Sequence, residues 1–519
     1  MLVKTYGAAV QGIDAIKITI EAVASVGTVF NMVGLADTAV KESYQRIMAA
    51  VNQSGYEFPR FRFVVNLSPA DVKKEGAAYD LPIALAILAS SGRIQAPALA
   101  DYMIMGELSL DGSVLPIRGV LPMAILARKL GFKGMIVPQA NATEAAVVNN
   151  LEVYGAQSLR QVIEFLEGKS HIDPTVVDTR AEFAANCGNF DFDFSEVKGQ
   201  ELVKRAFEVA CAGGHNILLV GPPGSGKSMM AKRLPSILPP LSLSEALETT
   251  KIHSVAGKLD RGSRLMTRRP FRSPHHTVSP VALVGGGTNP MPGEISLAHN
   301  GILFMDEFPE FPRSVLEVLR QPLEDNHISV SRAKYSIDYP ASFMLVASMN
   351  PCPCGYYNHP TKSCVCAPGA VRKYLNRISG PLLDRIDIQV EIQPVEFDAI
   401  ASERKGESSA EIRGRVLSAR SIQQQRYAAE PGVHCNAQIN NRLIQQYCRL
   451  DDKSMEILRN TMKRFDMSAR AYNRILKVAR TIADLEGSAD ICAHHVSEAV
   501  GYRNLDRSTW GSSDASLPF

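Results

Sequence analysis

The sequence has no apolar stretch of membrane-spanning length. The longest, Leu81 to Ala89, contains Pro82 and falls far short of the roughly 20 residues that a bilayer requires. The apolar core of a secretory leader is missing too. The opening MLVKTYGAAVQGID soon reaches Asp14, so a cytoplasmic protein without a membrane partner is expected. Cysteine is too sparse for a disulfide scaffold, at nine in 519 residues, and an odd number without a leader points to reduced thiols. Neither sign of charge dominates. The 56 Lys and Arg against 53 Asp and Glu leave +3, which does not by itself demand a nucleic acid, although a local basic face stays open. Repeats and low-complexity tracts are absent. These deficits set aside membrane, secreted and disordered chains. What is present, 45% hydrophobic residues, suffices for about three domains.

Residues 1–168 alternate strand-like runs (Ile16 to Ile20, Phe61 to Val65, Lys133 to Val137) with helical ones (Leu81 to Ala89, Leu121 to Leu130), which predicts an α/β or α+β domain. Residues 169–195 are polar and aperiodic and read as a linker. A second strand–helix alternation over 196–394 predicts a doubly wound parallel sheet. From 395 to 519 apolar residues recur at three- and four-residue spacing, as in a small helical bundle.

The strongest chemical signal is HNILLVGPPGSGKSMMAKRL. An apolar strand, Ile217 to Val220, runs into Gly221, Pro222, Pro223, Gly224, Ser225, Gly226, Lys227 and Ser228, and a helix follows. This is the P-loop pattern. Glycines let backbone N–H groups curl around phosphates, Lys227 reaches the β- and γ-phosphates, and the Ser228 hydroxyl takes Mg²⁺. Downstream, GILFMDE places Asp306 and Glu307 at a strand end, where doubly wound sheets bind ligands. Asp306 is expected to hold Mg²⁺, and Glu307 to act as general base on the attacking water. A third apolar strand, Phe343 to Ala347, ends near Asn350, which either orients that water or caps the Pro-rich turn. Arg385, just before the strand Ile386 to Ile392, is placed to project from the domain edge into a neighbour's site, or else pairs with Asp384 or Asp387. Arg470 begins a helix and either reaches the γ-phosphate or is an exposed helix-start arginine.

The segments GPPGSGKS, GILFMDE, SMNPCPCG, RISGPLLDRIDI and SARAYNRILKVARTIADLEG resemble the magnesium-chelatase-like AAA+ ATPases, and more narrowly the YifB/ComM group, over nearly the whole chain. The resemblance implies a homo-hexameric ring with ATP between subunits, Arg385 as a trans-acting finger and Arg470 as a second sensor. It also implies an insert around helix 2, within Arg272 to Leu297, a hairpin HISVSRAKYSIDYP before Asn350, and a C-terminal helical lid. Members named ComM are described as ATP-driven DNA helicases that promote branch migration as single-stranded DNA is integrated in natural transformation. The expected function is therefore a ring motor on single-stranded or branched DNA. The alternative is a chelatase-type remodeller of a partner protein for metal insertion.

The residues allow the DNA reading. Arg332-Ala333-Lys334 would cap the hairpin, making Arg332 and Lys334 candidate DNA contacts, or the tip is a solvated turn. A basic run (Lys251, Lys258, Arg261, Arg264, Arg268, Arg269, Arg272) is either a DNA contact or a solvated face, and Gly285-Gly286-Gly287 fits a pore loop. Cys352, Cys354, Cys364 and Cys366, with His359 between the pairs, could hold a structural Zn²⁺ or be unligated. The runs VKKEGAAYDLPIALAILASSGRI and MGELSLDGSVLPIRGVLPMAILARKL resemble the proteolytic domain of Lon. Ala78 stands where Lon has its serine and Leu121 where it has its lysine, so protease chemistry is not expected. With Asp80 near the lost serine, this pattern is similar to RadA, whose Lon-like domain binds DNA and forms rings. A scaffold role follows, with Lys73, Lys74 and Arg118 as candidate contacts.

Overall fold

A computed structural model describes residues 1–179, 183, 190–259, 265–287, 290–332, 335–394, 406–465 and 467–503. The chain forms two compact units. One holds Met1–Cys187, Ser242–Thr267 and Pro290–Pro292; the other holds Gly188–Leu241, Arg268–Asn289 and Gly293–Phe519. No helix among the described residues is long and apolar enough to cross a membrane.

The first unit is built on a mixed sheet. Its strands are β1 (Leu2–Gln11), β2 (Asp14–Ser25), β3 (Phe30–Val33), β4 (Arg62–Ser68), β5 (Tyr102–Ile104), β6 (Gly134–Pro138) and β7 (Glu152–Ala156), in the order β3-β4-β2-β1-β5-β6-β7. β1 and β2 are antiparallel, joined by a tight turn that Gly12 enters at a φ of +65°. β5, β6 and β7 are parallel. The helix Asp80–Ser90 is buried at every position but Ala89, as its all-round apolar sequence requires.

The first unit also takes in residues from beyond the P-loop. Ser242 starts the helix Leu243–Ala256 with a capping box to Glu245, and Leu247 and Leu265 pack onto the N-terminal core. Ser254 Oγ donates to Glu144 at 2.5 Å and Lys251 pairs with Asp14. The sequence reading assigns this stretch to the 196–394 segment. The structure gives it to the first unit because that is where its apolar side chains find a partner surface.

The second unit carries β8 (Ile217–Val220), β9 (Phe271–Arg272), β10 (Ile302–Met305), β11 (His327–Arg332), β12 (Tyr335–Pro340), β13 (Met344–Met349) and β14 (Ile388–Glu391). Five of these form a parallel sheet in the order β9-β10-β13-β8-β14. β8, β10 and β13 are buried along their whole length, which explains why they read as unbroken apolar runs rather than alternating ones. β11 and β12 make a separate antiparallel hairpin, registered from His327↔Pro340 to Arg332↔Tyr335. The helices Ser409–Arg426, Asn441–Tyr447, Asp452–Phe465, Ala469–Leu485 and Ala493–Gly501 send their apolar stripes into the same core as β8 and β14.

Candidate nucleotide site

Three neighbouring parallel strands end along one edge of the second sheet. The register pairs Val220 with Met349 and Met305 with Ala347, so the residues that follow, Gly221, Asn350 and Asp306, emerge side by side. The P-loop turns on Gly224 and Gly226, at φ of +78° and +84°, conformations that glycine adopts without steric cost.

Lys227 Nζ donates to the carbonyls of Gly221 and Pro222 at 2.7 and 2.9 Å and to Asn350 Oδ1 at 3.3 Å. Burial pushes its pKa down from the usual lysine value, while Asp306 opposes that shift. Ser228 Oγ meets Asp306 Oδ2 at 2.5 Å, and Ser348 donates to the other Asp306 oxygen. A hydroxyl and a carboxylate meeting beside a phosphate loop are the hard oxygen donors that Mg²⁺ takes together with substrate phosphates, so this pair fits the ion. Glu307 is exposed and sits at a φ of +53°, a region that side chains other than glycine seldom occupy outside functional or turn positions. Its N–H donates to Asp306 Oδ1 at 3.0 Å, and its carboxylate lies 3.2 Å from His276 Nδ1.

His276 is the residue that sequence reasoning missed. It follows β9, the strand beside β10, and rests edge-on to Phe311. The available signal was a histidine pair, RSPHH, just beyond the strand that neighbours the Asp-Glu strand.

The two arginines lie elsewhere. Arg385 does not project from an edge. Its side chain is buried, donates to Pro381 O and to Glu324, and leaves Nε without a hydrogen bond. The expected surface pair with Asp384 or Asp387 is replaced by this one, because the short helix Pro322–Asp325 brings Glu324 over the guanidinium. Arg470 is exposed and acts on the same Glu324 carboxyl, which Arg385 chiefly holds below its ordinary range. The structure therefore sets Arg385 on Glu324, and groups Lys227, Ser228, Asp306 and Asn350 at the strand ends.

Other candidates also have internal partners. Arg269 donates to Pro239 O and Asn300 O, Arg272 forks onto Glu294, and Arg268 faces Asp191. Lys251, Arg268, Arg269 and Arg272 of the basic run thus have partners within the chain. Arg261, Arg264, Lys334 and the side chain of Arg332 lie outside the described residues. Gly285, Gly286 and Gly287 all take positive φ. Lys74, expected as an exposed contact, is buried against Pro69 O, and Lys73 pairs with Glu75. Where Lon has its dyad, Leu121 is fully buried. The neighbouring Asp80 is clasped by Arg46 at 2.7 and 2.9 Å, with burial pushing its pKa up to about 6. The four cysteines Cys352, Cys354, Cys364 and Cys366 come together. Of the other five, Cys211, Cys435 and Cys448 are buried and Cys492 is exposed, while Cys187 lies outside the described residues.

The sequence matches known families over most of its length. Residues 193–400 match the family described as magnesium chelatase, subunit ChlI; residues 19–141 match subunit ChlI of Mg-chelatase; and residues 406–503 match magnesium chelatase, subunit ChlI C-terminal. Fold and site thus define a magnesium-chelatase-like AAA+ protein, an ATP-binding class. The chain is 45% identical over 504 residues, 96% of each chain, to the uncharacterized protein YifB of Salmonella typhimurium. It is 43% identical over 507 residues, 97% of each chain, to the competence protein ComM of Haemophilus influenzae. It belongs to the YifB/ComM family. Its N-terminal region is also 28% identical over 129 residues to an archaeal Lon protease of Thermococcus kodakarensis, 24% of this chain and 20% of that one.

Proposed function

We propose that this chain hydrolyses ATP as a homo-hexameric ring motor on DNA and drives branch migration in recombination of the kind that natural transformation requires. The carrying observation is the convergence of Lys227, Ser228, Asp306 and Asn350 at three adjacent strand ends. The DNA half rests on likeness, over 97% of both chains, to a protein named for competence.

In this reading Lys227 binds the β- and γ-phosphates, and Asn350, already on Lys227, orients the attacking water. Ser228 and Asp306 would hold Mg²⁺, whose bound charge neutralises phosphate oxygens. Glu307 accepts the proton of that water as the new oxygen–phosphorus bond forms; the bond to the bridging oxygen breaks and ADP leaves with its electron pair. Arg385 and Arg470 serve a neighbouring subunit's γ-phosphate once Glu324 gives up the Arg385 guanidinium. Arg332 and Lys334, which the sequence puts between the two hairpin strands, contact DNA phosphates in the channel. The N-terminal unit, with alanine and leucine where Lon has its dyad, serves as a scaffold.

A remodeller of a partner protein for metal insertion is the second reading, favoured by three family matches that all bear the chelatase name. Stimulation of ATP turnover by DNA at low salt, where phosphate contacts are strongest, separates the two. We expect stimulation, and unwinding of a synthetic three- or four-stranded junction by wild type but not by Glu307→Gln, which still binds ATP. Indifference to DNA would overturn the motor reading.

A further inference from the structure

Four cysteines that the ATPase chemistry leaves unused sit beside it. Cys352 Sγ lies 3.3 Å from Cys354 Sγ and 3.8 Å from Cys364 Sγ, and Cys354 and Cys364 are 3.5 Å apart. With Cys366, all four sulfurs fall within 4.8 Å of one another. None of these spacings is a disulfide, which needs about 2.05 Å. A tetrahedron with metal–sulfur bonds of about 2.3 Å has sulfur–sulfur edges of about 3.8 Å, close to what is seen. The first pair is closed by a turn in which the Gly355 N–H donates to the Cys352 carbonyl at 3.0 Å, and in both pairs the intervening residue, Pro353 or Val365, is exposed while the cysteines beside it are more buried. The backbone N–H of Tyr357 donates to Cys352 Sγ at 3.3 Å, a support of the kind that metal-bound ligands carry. His359 takes no part, since its Nδ1 accepts from the N–H groups of Thr361 and Lys362.

The loop that carries these sulfurs rests on the P-loop. Gly355, one residue beyond Cys354, sits at a φ of +86°, and a Cβ there would lie 2.5 Å from Pro223 Cδ. Two residues before Cys352, Asn350 reaches Lys227. Whatever fixes the cysteine loop therefore fixes both the outer turn of the P-loop and the residue that holds its lysine.

We propose that Cys352, Cys354, Cys364 and Cys366 bind a single structural Zn²⁺ as four thiolates, and that the ion braces the P-loop through Gly355 and Asn350. The brace rests on the nucleotide reading above, whereas the metal site does not. Metal analysis of the purified full chain should find one zinc per chain. After replacement with Co²⁺, the protein should show the visible bands and sulfur-to-metal charge transfer of a tetrahedral tetrathiolate. Cys364→Ser should lose the metal. Absence of zinc with no cobalt spectrum overturns the site, and iron in its place overturns the ion.

For the brace, a fluorescent ATP analogue should bind about tenfold more weakly after chelation and recover when Zn²⁺ is returned, a reversal that a misfolded variant would not show. Gly355→Ala should keep its zinc and still bind the analogue more weakly. Unchanged affinity in both experiments overturns the brace. Failure of the untreated wild type to bind the analogue would instead overturn the nucleotide reading, leaving the metal result standing.

Discussion

Glu307 is the residue on which the proposed chemistry turns, and its surroundings distinguish it from an ordinary strand-end acid. Its backbone is left-handed and its carboxylate is exposed, with His276 at 3.2 Å. In the proposed reaction the histidine there would hold the carboxylate for its attack-activating role. Losing that contact should lower kcat about tenfold. We therefore expect His276→Ala to turn over ATP more slowly with little change in nucleotide affinity, and His276→Gln to recover part of the rate. A fall in affinity with kcat intact would argue against positioning. The meeting of Lys227, Ser228 and Asp306 was legible because the first two close a phosphate-loop pattern of fixed spacing and the third ends an apolar strand of the same kind of sheet. His276 was not, because its partner becomes a neighbour only when β9 pairs with β10. For the same reason nothing in RISGPLLDRIDI discloses that Glu324 covers Arg385.

Among elements, the helix Ala469–Leu485 is tied to the sheet through one buried carboxylate. Asp387, at the entry to β14, accepts from Arg474 at 2.6 Å and from the backbone N–H of Asn216 at 3.1 Å, and His215 lies 3.4 Å away. Burial opposes its charge, but Arg474 and then His215 outweigh burial and hold it well below the ordinary carboxylate range. A depressed folded value means that this stability is fully present above the unfolded pKa of about 4 and is lost as pH falls toward the folded value. Arg474→Met, which strands the carboxylate, should cost about 3–5 kcal/mol. Thermal melts at pH 7 should show that loss, and the wild-type melting temperature should begin to drop only below about pH 4. A loss unchanged by adding Asp387→Asn would show that the pair is not its source. The helices themselves were visible as three- and four-residue apolar spacing and the buried strands as apolar runs. The Asp387 cluster was invisible because it joins residues from three distant segments.

At the scale of the molecule, the test is whether subunits complete one another. If Arg385 serves a neighbour, chains carrying Lys227→Ala mixed with chains carrying Arg385→Ala should regain ATPase activity that neither has alone. No recovery at any mixing ratio would count against the shared site. Glu324→Gln should loosen the retracted arginine and raise basal turnover of the assembled protein; a fall would mean that Glu324 supports catalysis rather than restraining it. Within residues 1–168 the strand runs were legible, and they coincide with β2, β4 and β6. The crossing of Ser242–Thr267 into the first unit was not, because a capped amphipathic helix does not announce whose core it will join.

That crossing has a practical corollary. A fragment starting near residue 188 would still encode Leu243–Ala256, now with Leu247 and Leu265 deprived of the surface they cover. Such a truncation would turn sticky and aggregate instead of yielding a tidy catalytic half. No single cut in the polypeptide separates the two units. An amino-terminal deletion that kills activity is therefore no evidence that the missing part does chemistry.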